Sequence, residues 1–169
     1  MTTVSRRKFI ASAGIGAAAA TTLAAPAIAQ GSPEIKWRCT ASWPKSLDTL
    51  FGGVEHFSKR VAELTDNKFQ IQVFAAGEIV PGLQVLDAVQ SGTVEMGHTA
   101  CYYYFGKDPT HTFGTDLPFG MNSRMRNAWL YHGGGMDLLN EFRKTYNIYA
   151  MPAGNTNCQM GGWYRKEIK

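Results

Sequence analysis

The sequence is poor in the residues that most catalytic and metal-binding chemistries require. It has three cysteines, Cys39, Cys101 and Cys158, and no two of them form a CxxC pair. Their wide spacing fits no zinc motif, and an odd count at strand-end positions points to buried free thiols. The four histidines, His56, His98, His111 and His132, are scattered without HxxxH or HExxH spacing, which argues against a histidine-ligated metal catalyst. GxGxxG, the Walker phosphate loop and GxSxG are absent too, so no dinucleotide fold, P-loop or serine-hydrolase elbow is indicated. Runs of like charge are also lacking. The 169 residues carry 17 basic and 13 acidic side chains, but Arg6, Arg7 and Lys8 stand together near the start. Beyond them the balance is 14 to 13, and no basic patch remains for nucleic acid or a membrane surface.

Nor is there a strongly apolar run long enough to anchor the chain. The first residues read MTTVSRRKFIASAGIGAAAATTLAAPAIAQ. A basic segment precedes an apolar stretch that is mostly Ala, Gly and Thr, too short and too weakly hydrophobic for a membrane span. Ala27-Ile28-Ala29 then offers a small-x-small cleavage site, so residues 1–29 are expected to be an export signal. The segment SRRKFI matches the twin-arginine pattern S-R-R-x-F-[LI], a route that carries proteins already folded.

From residue 30 onward the hydrophobic period alternates between two values. IKWRCT (35–40) and FQIQVF (69–74) alternate as strands, and TVEMGHT (93–99) reads as a third. Between the first two, Leu47, Leu50, Phe51, Val54, Phe57, Val61 and Leu64 recur at helical steps, with Ser46 as expected N-cap and Asn67 as the end signal. A helix of about five turns is predicted there by that period, and a shorter one over 83–90. The order β-α-β-α-β implies an α/β fold with a mostly parallel open sheet and right-handed crossovers. Helices are predicted over 123–132 and 136–146, and further strands in NIYAMPAGN and QMGGWYR. HGGG in YHGGGMD resembles an oxyanion loop, but it falls between two helix-like segments rather than after a strand, and reads as a glycine turn.

In an open parallel sheet, ligands lodge outside the carboxyl ends of the strands, where the strand order switches direction. That rule selects four loops: 41–44, 77–80, 102–104 and 154–157. The third opens the run YYYF, which no single helix or strand can bury on one face. Tyr102, Tyr103 and Tyr104 therefore become candidates for a ligand wall, since tyrosine offers a flat apolar surface and one hydroxyl, suited to a small organic anion. The bland alternative packs two of the rings against helices and leaves the third on the surface.

Several long stretches, SWPKSLDTLFGG, FQIQVFAAGEIVPGLQVLDAVQSGTVEMGHT, YYYFGKDPT, YHGGG and GNTNCQMGGWYRKEI, resemble the substrate-binding proteins of tripartite ATP-independent periplasmic (TRAP) transporters, the DctP-like family. The likeness is strongest to the α-keto acid receptors of that family. It implies a type II periplasmic-binding-protein-like fold of two lobes, which closes around a small monocarboxylate such as the 2-oxo acid pyruvate. A bound sodium ion, delivery to a membrane permease, periplasmic localisation and a homodimer belong to the same picture; a cofactor, nucleic acid and enzymatic activity do not. Carried over to matching positions, the ligand contacts are Tyr103, with Tyr102 or Tyr104 beside it, and Gln159, which also lies near the sodium ion. Asn155 is a neighbouring hydrogen-bond group, and Trp43 and Glu78 sit on matching rim loops. Asn157-Cys158 departs from the small or apolar residues usual there.

The family's carboxylate-anchoring arginine comes from a GLKxR segment that this sequence does not contain, and Arg165 in WYRKEI belongs to another motif. EIK ends the sequence without cap, turn or tail signal, so residues 30–169 are expected to be a truncated N-terminal lobe with the second lobe largely missing. The alternative reading is an exported enzyme acting on 2-oxo or hydroxy acids, its catalytic residues in the missing C-terminal part.

Overall fold

The first predicted strand forms as β1 (Ile35–Ala41), exposed over its first four residues and buried over its last three, the middle strand of a parallel three-stranded sheet. This computed structural model describes residues 34–115, 117–156 and 162–167, so the export signal, Gln159 and the Asn157-Cys158 departure lie outside the described residues. β2 (Phe69–Phe74) and β3 (Met96–His98) flank β1, in the order β2-β1-β3. Ile35 lies opposite Phe69 and Thr40 opposite Phe74, while Cys39 faces Met96 and Ala41 faces His98. On the exposed side, Arg38 holds Glu95 through both guanidinium and backbone nitrogens, at 2.7–3.2 Å. Those hydrogen bonds pull the Glu95 carboxyl down to about 2.

Helices cover both faces of the sheet. α1 (Phe51–Leu64) lays Phe51, Val54 and Val61 over Cys39, Ile71 and Val73. α2 (Val85–Gln90) packs on the other face, so closely that a Cβ on Gly97 would stand 2.6 Å from Val85 and 3.0 Å from Val89. Gly97 pairs with Thr40, whose side chain points away from Cys39 and Ala41. The order β2-β1-β3 explains this. The first crossover leaves β1 in one direction and the second returns past it, so right-handed connections put α1 and α2 on opposite faces.

Three predicted features differ. α1 starts at Phe51, not after Ser46: Leu47 N and Phe51 N bond Pro44 O and Leu47 O, so residues 44–50 turn first, and the N-cap Leu50 makes no side-chain cap. The 14 helical residues make nearly four turns, and Phe57 and Leu64 fall at the margin of the buried stripe and are exposed. Asn67 does end the helix, with φ +60° and its N–H on Ala62 O at 2.8 Å.

The second difference concerns NIYAMPAGN, which forms no strand. Its alternation is real, with Ile148 and Ala150 half-buried while Tyr149 and Met151 are exposed. The partner is a side chain, however. The carboxamide of buried Asn140 donates to Ala150 O at 3.0 Å and accepts from Ala150 N at 2.9 Å, which occupies both backbone groups a ladder would use. Third, residues 162–165, at the end of the other predicted strand, are irregular. The remaining helices, α3 (Ser123–His132) and α4 (Gly135–Lys144), match prediction to within two residues. Gly134 between them has φ +78°, and a Cβ on Gly135 would meet the Trp129 ring at 2.5 Å, so the HGGG glycines serve a tight turn between packed helices. Cys39 and Cys101 are free thiols, and burial pushes that of Cys39 up to about 12.

Candidate functional site

β1 and β3 are neighbours whose connecting chains run to opposite sides of the sheet, so the crevice beyond their carboxyl ends is the switch point of this topology. Two of the loops singled out from sequence meet there. Trp43, two residues past β1, donates its indole N–H to the hydroxyl of Tyr103 at 3.2 Å. Their rings lie 6.5 Å apart at 54°, and Tyr102 stands edge-on to Tyr103 at 4.8 Å. His98, the last residue of β3, packs its ring edge-on with that of Trp43 at 4.7 Å. Burial lowers the His98 pKa, so this imidazole stays neutral in a range where an exposed one titrates.

The tyrosine run divides because residues 101–104 form a 3-10 turn, whose period of three sends neighbouring side chains to different sides. Tyr102 is exposed and Tyr103 half-buried; both face the crevice side with Trp43. Tyr104 is turned inward and is not part of the wall, which corrects the expectation for this residue. Its ring is 2 % exposed, and its hydroxyl accepts from Leu86 N at 3.1 Å and bonds Thr99 Oγ1 at 2.8 Å. Ser42 Oγ donates its one proton to Gly82 O at 2.6 Å and accepts from Thr99 Oγ1 at 2.6 Å, and Ser42 N donates to His98 O at 2.9 Å. Ser42, Thr99 and Tyr104 thus lock the loops after β1 and β3 to the start of α2. Tyr104→Phe leaves the buried Leu86 N–H without its acceptor, and is expected to cost about 1–3 kcal/mol. Urea unfolding monitored by circular dichroism reads that loss directly; an unchanged midpoint would remove Tyr104 from the framework.

The second rim loop is clamped separately. Glu78 accepts from Lys45 Nζ at 2.6 Å and from Ala75 N at 2.7 Å, and these bonds hold its carboxyl below the usual range. Its role in the structure is to tie the loop after β2 to the loop after β1. Asn155 lies on an exposed loop, where its Oδ1 accepts from Ser123 Oγ at the start of α3, at 3.0 Å. The structure therefore brings Tyr102, Tyr103 and Trp43 together, assigns Tyr104 to the core, and ties Asn155 to α3. The sequence singles out neither His98 nor Thr99, and Ser42 only as a member of loop 41–44; polar residues closing a β-strand at the ligand edge are the available signal. An open groove along α2 carries Asp87, already paired with Lys107 at 2.6 Å, and presents no aromatic wall.

The family model for bacterial extracellular solute-binding proteins, family 7, matches residues 40–169. A monocarboxylate 2-oxoacid-binding periplasmic protein of Nostoc sp. is 57% identical over 139 residues, which cover 82% of this chain and 38% of that protein. Among solved structures, a TRAP transporter solute-binding protein of Bordetella bronchiseptica is 51% identical, with a TM-score of 0.77 over 80% of this chain and 40% of that one. It is a mixed-occupancy dimer with a calcium- and picolinate-bound active site and an apo site. A TRAP periplasmic solute-binding protein of Pseudoalteromonas atlantica, with bound sodium and pyruvate, is 39% identical, with a TM-score of 0.77 over 80% and 41% of the two chains. The present chain spans about two-fifths of the length of these relatives, and its parallel open sheet is the part of their fold that it shares. It belongs to the bacterial extracellular solute-binding proteins of family 7, the DctP family.

Proposed function

We propose that this chain forms one wall of the ligand cleft in an extracytoplasmic receptor of a TRAP transporter. The ligand is a small monocarboxylate of the 2-oxo acid type, such as pyruvate, which the receptor hands to a membrane permease. On this reading residues 1–29 are a twin-arginine export signal, residues 30–169 belong to the N-terminal lobe, and the receptor works in the periplasm. The observation that carries it is the Trp43–Tyr103–Tyr102 wall at the β1–β3 switch point, where a flat apolar face and an oriented phenol suit a short carboxylate. The relatives bearing the same lobe are binding proteins, among them ones found with pyruvate and picolinate, and none supports the exported-enzyme alternative.

Sodium or calcium accompanies the ligand in these relatives. The described residues do not by themselves make a cation cage: no group of three His, Cys, Asp or Glu is gathered among them, and Glu78 is committed to Lys45. The family resemblance sets Gln159, which lies outside the described residues, beside such an ion. Thermal unfolding with a panel of small carboxylates tests the reading. Pyruvate at about 50 mM is expected to raise the midpoint by up to several degrees, the effect of a Kd no tighter than about 1 mM. Sodium chloride of equal ionic strength is expected to do less. A panel in which no 2-oxo acid exceeds chloride would sink the assignment.

A further inference from the structure

The Trp43–Tyr103 hydrogen bond has a direction that chemistry fixes. An indole N–H can only donate, whereas a phenol can donate one proton and accept others. Tyr103 must therefore accept from Trp43, and its own proton is left to point elsewhere. No other hydrogen bond to the Tyr103 hydroxyl is made among the described residues. Trp43 is well placed to impose this. It is buried, its carbonyl accepts from Ala76 N at 3.1 Å, and His98 braces its ring at 4.7 Å. The indole consequently has little freedom to turn its N–H away.

We propose that Trp43 is a positioning residue that sets the proton polarity of Tyr103, so that the rim offers a hydrogen-bond donor and selects ligands with an acceptor oxygen over ligands that can only donate. In this scheme the indole N–H of Trp43 acts on the ligand through Tyr103. The inference rests on the carboxylate-receptor reading above and adds the origin of its preference for anions. With Trp43 silent, the phenol rotates freely and meets a carboxylate or an ammonium group equally well.

The test replaces Trp43 with 3-benzothienylalanine, which keeps the bicyclic shape and the edge-on contact with His98 but carries sulfur in place of N–H. Pyruvate and isopropylammonium, a donor-only cation of similar size, are titrated into the chain to about 50 mM at constant ionic strength, and the Tyr103 ring resonances are followed by NMR. The native chain is expected to favour pyruvate, and the replacement to shrink that preference about 3- to 10-fold, the worth of one hydrogen bond. In a Tyr103→Phe background the same replacement is expected to change nothing further. Without ligand, Tyr103→Phe shifts the Trp43 indole N–H resonance and Tyr102→Phe leaves it in place. An unchanged preference, or an indole resonance indifferent to Tyr103→Phe, overturns the role of Trp43 while leaving the site intact. A native chain whose Tyr103 gives no saturable response to pyruvate overturns the carboxylate site, and this inference with it.

Discussion

Pyruvate titrated calorimetrically into this chain, with sodium present, is expected to give no isotherm tighter than about 1 mM, roughly a thousandfold weaker than a micromolar receptor. The wall supplies one oriented phenol, a second exposed one, and an aromatic face. Each hydroxyl on a carboxylate contributes about 1.5–3 kcal/mol at best. Micromolar binding needs about 8 kcal/mol net of ordering costs. A carboxylate leaving water also needs a cationic partner, and the rim lysines are already engaged: Lys45 with Glu78 and Lys107 with Asp87, each at 2.6 Å. The sequence carries no GLKxR segment to supply the arginine that the family resemblance calls for. A micromolar isotherm would mean that a cation in this chain, Arg165 among the candidates, reaches the crevice after all.

The same comparison of wall and charge shows what the sequence could convey. The parallel sheet was legible because each strand of the trio carries its own period and each crossover is too long for a hairpin. The switch-point rule then named Trp43 and the tyrosines before any geometry was known. What the sequence could not convey was the division within the tyrosine run. That depends on a 3-10 turn, whose tight period puts Tyr104 in the core beside Thr99 and leaves Tyr103 at the rim. The hydroxyl chain from Ser42 through Thr99 to Tyr104 joins residues far apart in sequence, and nothing in any one segment announces it. The extended segment after α4 failed for the opposite reason. Its alternation is present in the fold, but periodicity reports which side chains are buried and is silent about what satisfies the backbone.

That segment carries the second large expectation. Asn140→Leu keeps the branched shape of the buried side chain, with more bulk, and removes both hydrogen bonds to Ala150. A peptide N–H and a carbonyl then lie beside an apolar group, half-buried and away from any ladder. Each orphaned group costs about 1–3 kcal/mol, so the two together cost at most about 2–6 kcal/mol, and their half-burial and the more apolar side chain bring the expected loss to about 2–4 kcal/mol. Asn140→Asp separates the two bonds, because a carboxylate still accepts from Ala150 N and can no longer donate to Ala150 O. At neutral pH it also sets a buried charge against the Ala150 carbonyl, so it is expected to be at least as destabilising as Asn140→Leu, and to recover at low pH, where the protonated carboxyl donates to Ala150 O again. Chemical unfolding gives the totals, and hydrogen exchange at the Ala150 amide reports where they arise. In Asn140→Leu that amide should lose protection well before those of β1 and β2, since only the segment leading to the Asn155 loop is released. Equal loss across the sheet would show that Asn140 acts through general core packing. Retained protection at Ala150 would show that this segment finds another partner, and the strand expected from its alternation would be the first candidate.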